Sequence, residues 1–256
     1  MIIEEIMVKH AIDFSPHHHA YLNPYNGCPM GCPFCFWLSR EGWEGRIQVR
    51  KNIAVHLKEY LENSWDGSLL YLGSICDPFM ALEKKYGVTG ECLELLNEYQ
   101  VPLLITTSAA DDTVLNYLPV FESMKSRLTI VVELSRIPLI EEMNRGRCHK
   151  GIVNANLLME ADITTWTTLS PVLPGITDLG KVLKLLHPSI PVYVDRLVCE
   201  PGGIQQKKVM EWIQREYPDL AGQYEAIVMA GDDRYYKELL QKYWNNTRVR
   251  TFPFKI

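Results

Sequence analysis

The stretch Asn23-Pro-Tyr-Asn-Gly-Cys-Pro-Met-Gly-Cys-Pro-Phe-Cys-Phe36 sets Cys28, Cys32 and Cys35 on one short loop in a C-x3-C-x2-C pattern. Gly27, Pro29, Gly31 and Pro33 make the stretch turn-rich, with exposed backbone, as a cluster loop must be. Three thiolates hold three corners of a cubane 4Fe–4S cluster and leave the fourth iron open to a small ligand. Ferredoxin-type carriers and structural zinc sites close their coordination with four protein ligands, and no fourth cysteine stands near this loop. The triplet therefore points to chemistry at a vacant iron. Phe34 and Phe36 flank the last cysteine, where aromatic cover keeps solvent off a cluster and offers a face to an adenine.

A second reading of the same residues is a Cys3His zinc site, with His17, His18 or His19 supplying the fourth ligand. Zinc knuckles favour paired C-x2-4-C units, and only Cys32 and Cys35 form one. A zinc-binding or redox-sensing module without turnover is the corresponding alternative to an enzyme.

Working outward, 256 residues suffice for one sizeable core, so a single domain over 1–256 is the expectation. Hydrophobic residues make up 47% and charged residues 22%, a globular balance. No apolar run approaches the roughly 18 residues needed to span a membrane. Acidic residues follow Met1-Ile-Ile, where a secretory signal would be basic, and seven cysteines with three in a cluster motif suit a reducing cytoplasm. The formal charge is −5, and basic residues cluster only in short pieces such as Arg46 to Lys51. That balance disfavours nucleic acid as substrate. A small molecule or peptide is expected instead.

Helical and extended patterns alternate along the chain as in an α/β barrel. Lys51 to Asn63 carries apolar residues at helical spacing, and Leu69-Leu-Tyr-Leu72 reads as a buried strand. Cys92 to Tyr99 (helix), Pro102 to Thr107 (strand), Asp111 to Phe121 (helix) and Leu128 to Leu134 (strand) continue the alternation. Ile152 to Met159 (helix), Thr164 to Leu169 (strand), Leu179 to Leu186 (helix) and Pro191 to Leu197 (strand) follow. With a first strand just before Cys28, this makes six βα units. The fold class is α/β, a partial (β/α)6 TIM-type barrel over about 20–200, with function at the C-terminal strand ends. A short α/β capping extension over about 201–256 is read as helices at Val209 to Tyr217 and Asp233 to Trp244, with Tyr224-Glu-Ala-Ile-Val-Met229 extended between them.

Several segments then fall into a familiar order: Tyr21 to Cys28, the triplet, Val49 to Ile53, Gly73-Ser-Ile-Cys-Asp-Pro-Phe79, Glu83, Gly87-Val-Thr89, Pro102 to Ser108, and Ser170-Pro-Val-Leu-Pro-Gly-Ile-Thr-Asp178. This order resembles the spore photoproduct lyase-like branch of the radical S-adenosylmethionine (SAM) superfamily, over roughly Tyr21 to Leu197. The resemblance implies a 4Fe–4S cluster on Cys28, Cys32 and Cys35, SAM on the open iron, and an external one-electron reductant such as flavodoxin or ferredoxin. It implies reductive cleavage of SAM to a 5′-deoxyadenosyl radical that abstracts hydrogen, leading to epimerisation, fragmentation or rearrangement. The branch also contains nucleic-acid lesion lyases, which is the alternative within the enzyme class.

Carried over by position, Phe34, Ser74, Asp77, Ser108 and Glu133 become candidate SAM-binding residues. Many relatives have lysine where Thr107 stands, so the partner of the SAM carboxylate is open among Arg136, Arg145, Arg147 and Arg196. A glutamate inside Ile130-Val-Val-Glu-Leu134 is hard to bury unpaired, so Glu133 is expected to face the barrel mouth. Of the other cysteines, Cys92 reads as a small core residue. Cys76, at a strand end beside Asp77, is the candidate catalytic thiol that returns a hydrogen atom to a product radical. No second C-x2-C unit appears, so an auxiliary cluster is not expected.

Overall fold

The computed structural model describes residues 1–40, 43 and 45–252. In chain order the strands and helices begin with β1 (Ile2–Ile6), β2 (Ile12–Phe14), β3 (Ala20–Leu22), β4 (Tyr25–Asn26), β5 (Arg46–Arg50), α1 (Ile53–Asn63) and β6 (Leu70–Leu72). Next come α2 (Glu83–Tyr86), α3 (Val88–Glu98), β7 (Leu103–Thr107), α4 (Leu118–Met124), β8 (Leu128–Glu133), α5 (Ile137–Asn144), α6 (Lys150–Glu160) and β9 (Thr165–Leu169). The chain closes with α7 (Leu179–Leu185), β10 (Val192–Val194), α8 (Ile204–Glu216), α9 (Ala221–Ala230), α10 (Arg234–Lys242) and β11 (Val249–Thr251).

One eight-stranded sheet, ordered β11-β10-β9-β8-β7-β6-β3-β2, carries the fold. Its six central strands, β3 and β6 to β10, are parallel, as the six βα units require, and form the partial barrel. β11 adds in parallel at one edge, and β2 closes the other edge antiparallel. A small sheet, β1-β5-β4, stands beside the cysteine loop.

Strand residues alternate between two environments because side chains point to opposite faces with period two. Leu103 and Ile105 of β7, and Leu128, Ile130 and Val132 of β8, are wholly buried, whereas Leu104, Thr106, Val131 and Glu133 are half-buried. The second set is the one that carries Thr106 and Glu133 into the cavity described below. Helices supply apolar stripes at intervals of four: Ile53, Leu57 and Leu61 on α1, and Val88, Cys92 and Leu96 on α3. Cys92 is fully buried in that stripe, as its pattern predicts.

The extension departs from expectation at one place. Tyr224 to Met229 is not extended but lies within helix α9. The side chains it buries are Tyr224, Ile227 and Val228, a spacing of three and four rather than two, and alanines at 221, 226 and 230 favour the helix. Gly231, at φ 69°, ends it in the left-handed conformation that glycine adopts freely. The β propensity of Tyr, Ile and Val yields here to burial on one helical face. Tyr224 Oη donates to the Pro174 carbonyl at 3.0 Å and Tyr236 Oη to the Val172 carbonyl at 3.2 Å, so the extension is bonded to the Ser170 to Asp178 segment. Among the described residues, no helix is long and apolar enough to cross a membrane.

Candidate functional site

The cysteine loop leaves β4 and passes through Gly27, whose φ of 103° is open to glycine alone. A Cβ there would lie 2.1 Å from the Arg46 carbonyl oxygen of β5. The close approach fixes where Cys28 begins. Cys35 N–H then donates to the Cys32 carbonyl at 3.1 Å, and Cys35 opens a short 3-10 helix, Phe36–Ser39. Gln205 of α8 holds the loop from the other side, its Nε2 donating to the Phe34 carbonyl at 3.2 Å. The C-terminal extension is thereby tied to the loop that the triplet occupies.

Cys28, Cys32 and Cys35 line one cavity of about 190 Å³. A larger cavity of about 610 Å³ adjoins it, and Cys28, Cys35, Trp43 and Arg136 line both. Phe34, Ser74, Cys76, Asp77, Ser108 and Glu133 all line the larger one. Strand ends β6, β7 and β8 and the segments after β9 and β10 therefore open on the space beside the cysteines. This volume falls in the range that small-molecule and cofactor sites occupy.

The wall of this space is built by hydrogen bonds. β6 ends at Gly73, at φ 85°, where a Cβ would meet the Thr106 carbonyl oxygen at 2.5 Å, so the turn lies directly against β7. Asn23 Oδ1 accepts from Ile75 N–H at 3.1 Å and from Ser74 Oγ at 3.2 Å. Asp77, buried in the same turn, uses Oδ1 for Phe79 N–H at 2.9 Å and Thr107 Oγ at 2.7 Å. Its Oδ2 takes Ser108 N–H at 2.8 Å and the Ser108 hydroxyl. Four donors already fill this carboxylate. Its first effect is to lock the β6 and β7 ends together, and Thr107 and Ser108 are engaged in that lock.

Behind the wall, buried Glu83 gathers the hydroxyls of Tyr25 and Tyr117, with Thr89 N–H at 3.1 Å and Gly90 N–H at 3.0 Å. Tyr25 begins the approach to the cysteine loop, and its carbonyl accepts from Cys76 Sγ at 3.0 Å. Burial pushes the Cys76 thiol far up, so it stays protonated while lining the larger cavity.

Glu133 and Arg136 act on one another within the site. Burial pushes the Glu133 carboxyl up, and the Arg136 guanidinium and the Ser135 N–H at 2.8 Å pull it back. Burial also raises the Cys28 and Cys35 thiols. Arg136 opposes that shift at both, aided by backbone bonds at Met30 and Trp37 respectively. Of the four arginines left open by sequence, Arg136 and Arg196 line the cavity. Arg145 is exposed and pairs with Glu141 at 3.4 Å, and Arg147 is exposed. Trp37 and Trp43, whose rings are tilted by 32° with centroids 5.8 Å apart, also line the cavity; sequence reasoning passed over both.

The donor set suits a cubane cluster. Three thiols face one cavity, and a guanidinium Nε buried without a hydrogen-bond partner stands on its wall. Among the described residues, no three His, Cys, Asp or Glu side chains converge on one point, as a single ion requires. His17, His18 and His19 lie before β3, where the His19 ring packs at a tilt against Tyr71, at the strand's other end from the loop.

No family model matches the chain, and no curated protein matches it by sequence. Solved structures do match. A point mutant of spore photoproduct lyase superposes with a TM-score of 0.58 at 14% identity, over 85% of this chain and 66% of that one. A double mutant of the same protein, with bound AdoMet and dinucleoside spore photoproduct, gives 0.58 at 13% identity, over 84% and 66%. SuiB of Streptococcus suis bound to S-adenosylmethionine gives 0.51 at 15% identity, over 98% and 50%. The chain thus spans just under two thirds of the length of spore photoproduct lyase and half that of SuiB. At such identities the likeness is one of fold. The chain has the partial-barrel fold of spore photoproduct lyase, the branch whose segments its cysteine loop, Asp77-Pro78 turn and Pro174-Gly-Ile-Thr-Asp178 run resemble.

Proposed function

We propose that this protein is a radical SAM enzyme. The observation that carries the reading is the pair of adjoining cavities, one walled by the three thiols and the other by the strand-end candidates, with Cys28 and Cys35 common to both. When bound, the cluster and SAM together supply, on one-electron reduction, a 5′-deoxyadenosyl radical able to take hydrogen from an unactivated C–H bond.

The chain's own residues do the rest. Cys28, Cys32 and Cys35 would hold the iron, and Phe34, Trp37 and Trp43 would shield it from water. Ser74 and the turn that Asp77 locks shape the wall that would receive the methionyl end of SAM, where Glu133 would meet its amine and Arg136 its carboxylate. Arg136 thereby supplies from the start of α5 the cation that relatives carry at the position of Thr107. Cys76 keeps a hydrogen atom on sulfur at the cavity wall, where it can quench a substrate radical. The electron comes from an external reductant of the flavodoxin or ferredoxin class.

For the substrate we infer a small molecule or a peptide. Asp195 and Glu200 stand at the rim with Arg196, an excess of negative charge that suits a neutral or cationic group better than a phosphodiester. SuiB has been solved with its precursor peptide SuiA, and spore photoproduct lyase with a dinucleoside, so both classes occur among similar structures. Anaerobic reconstitution tests the reading. The native chain should take up four irons per protein, and alanine at Cys28, Cys32 or Cys35 should abolish this while Cys92→Ala leaves it intact. Full iron in any one of the three variants would remove the cluster assignment.

A further inference from the structure

One guanidinium stands between the two cavities. Arg136 precedes α5 on extended backbone, at φ −66° and ψ 118°, and lines both spaces. Its Nε is buried with no hydrogen-bond partner. A guanidinium is a permanent charge with five donors in a rigid fork, and burying it costs free energy unless anions face it. The acidic groups placed to act on it are Cys32, Glu133, Cys28 and Asp77. Asp77 spends both oxygens on four other donors, and Glu133 turns one oxygen to Ser135 N–H. Glu133 is thus the carboxylate left to share charge with this fork, and the Cys28 and Cys32 thiols stand beside it, to become anionic once they hold a metal.

Other cations are less well placed. Arg50 pairs with Asp13 at 3.3 Å, and Arg196 is exposed at the rim, away from the cysteine cavity. Net charge, hydrogen bonds to sulfur and solvent exposure together set the potential of an iron–sulfur cluster. Taking up one electron makes the cluster more negative. A positive charge on the cavity wall stabilises that reduced form more than the oxidised one.

We propose that Arg136 is a positioning residue that raises the reduction potential of the cluster held by Cys28, Cys32 and Cys35, bringing it within reach of its one-electron donor. This rests on the cluster reading above. The role is separate from recognition of a carboxylate, because it operates with the larger cavity empty of SAM.

The test is a redox titration of reconstituted protein without SAM, using dithionite and mediators, with the reduced cluster followed by electron paramagnetic resonance. Signals are normalised to bound iron, and far-UV circular dichroism is recorded in parallel. Arg136→Gln should lower the ratio of reduced to oxidised cluster at fixed potential at least tenfold, a shift of about 59 mV to more negative potential for a one-electron couple. Arg136→Lys, which keeps the charge, should recover more than half of the shift. An Arg136→Gln midpoint equal to that of the native protein at equal iron would overturn the inference, as would a Lys variant displaced as far as Gln. If Gln fails to load while Lys loads and titrates like the native chain, Arg136→Met, neutral and similar in length, takes its place. Should neither neutral variant load, Arg136 builds the loop rather than tunes the cluster, and the inference falls. A native chain that loads no cluster would overturn the reading of the site itself.

Discussion

Asp77→Asn separates a residue that shapes the wall from one that touches the ligand. The native carboxylate accepts two donors on each oxygen, one of them a backbone N–H in each case: Phe79 N–H on Oδ1 and Ser108 N–H on Oδ2. Hydroxyls of Thr107 and Ser108 can rotate to accept from an amide, but a backbone N–H cannot. Whichever oxygen becomes Nδ2, one N–H in the buried turn is orphaned. Losing a charge-assisted bond costs about 1.5–3 kcal/mol and the unpaired N–H adds about 1–3 kcal/mol, so about 3 kcal/mol is a conservative sum. For a chain of this size that corresponds to a fall in Tm of about 6–12 °C. Thermal unfolding followed by circular dichroism measures it, alongside SAM binding and iron content. The expected outcome is a lower Tm, weakened SAM binding and retained iron. An unchanged Tm with SAM binding abolished would mean that Asp77 meets the ligand directly. No change in either would refute the account of a saturated carboxylate.

Cys76→Ala should keep iron and still form 5′-deoxyadenosine but stall or give aberrant product, and native turnover in deuterium oxide should place one deuteron in product; normal turnover by the variant with no solvent deuterium incorporated would reduce Cys76 to a packing residue. His149 caps α6 with Nδ1, and its buried ring meets the Leu134 carbonyl at 3.2 Å. Burial lowers its pKa from the ordinary 6.5, so the unfolded chain takes up a proton that the folded chain resists. That stability is present above about pH 6.5 and lost as pH falls below it. In urea titrations, His149→Asn should flatten the decline below pH 6.5 relative to the native chain; an equally steep decline in both would assign the acid sensitivity elsewhere.

The part of the site that sequence exposes is local. Cys28, Cys32 and Cys35 sit within eight residues of one another, and their spacing alone implies a shared ligand. The central strands were legible because parallel strands buried on one face and half-buried on the other leave apolar runs such as Leu103 to Ile105 and Leu128 to Val132. What escaped depends on contacts between distant segments. The Tyr224 to Met229 run reads as strand from its residue types, and helix α9 is instead fixed by burial of Tyr224, Ile227 and Val228 on one face and by the hydrogen bonds Tyr224 Oη to the Pro174 carbonyl and Gln206 Nε2 to the Val228 carbonyl. β1 carries Glu4 and Glu5 among its isoleucines and owes its strand form to pairing with β5. Arg136 was one of four equal arginines in sequence and is distinguished only by where α5 starts beside the cysteine loop. Asp77 was legible as a site residue, but only one of the four donors that fill it, Phe79 N–H, lies in its own turn; the other three come from Thr107 and Ser108 at the end of β7.

The central claim is tested most directly by incubating anaerobically reconstituted, dithionite-reduced protein with SAM alone and quantifying the nucleoside products by chromatography. 5′-Deoxyadenosine and methionine should form in the native protein and vanish in the Cys28→Ala, Cys32→Ala and Cys35→Ala variants. S-adenosylhomocysteine with no 5′-deoxyadenosine under any reducing condition, or cleavage that survives loss of a triplet cysteine, would contradict the account.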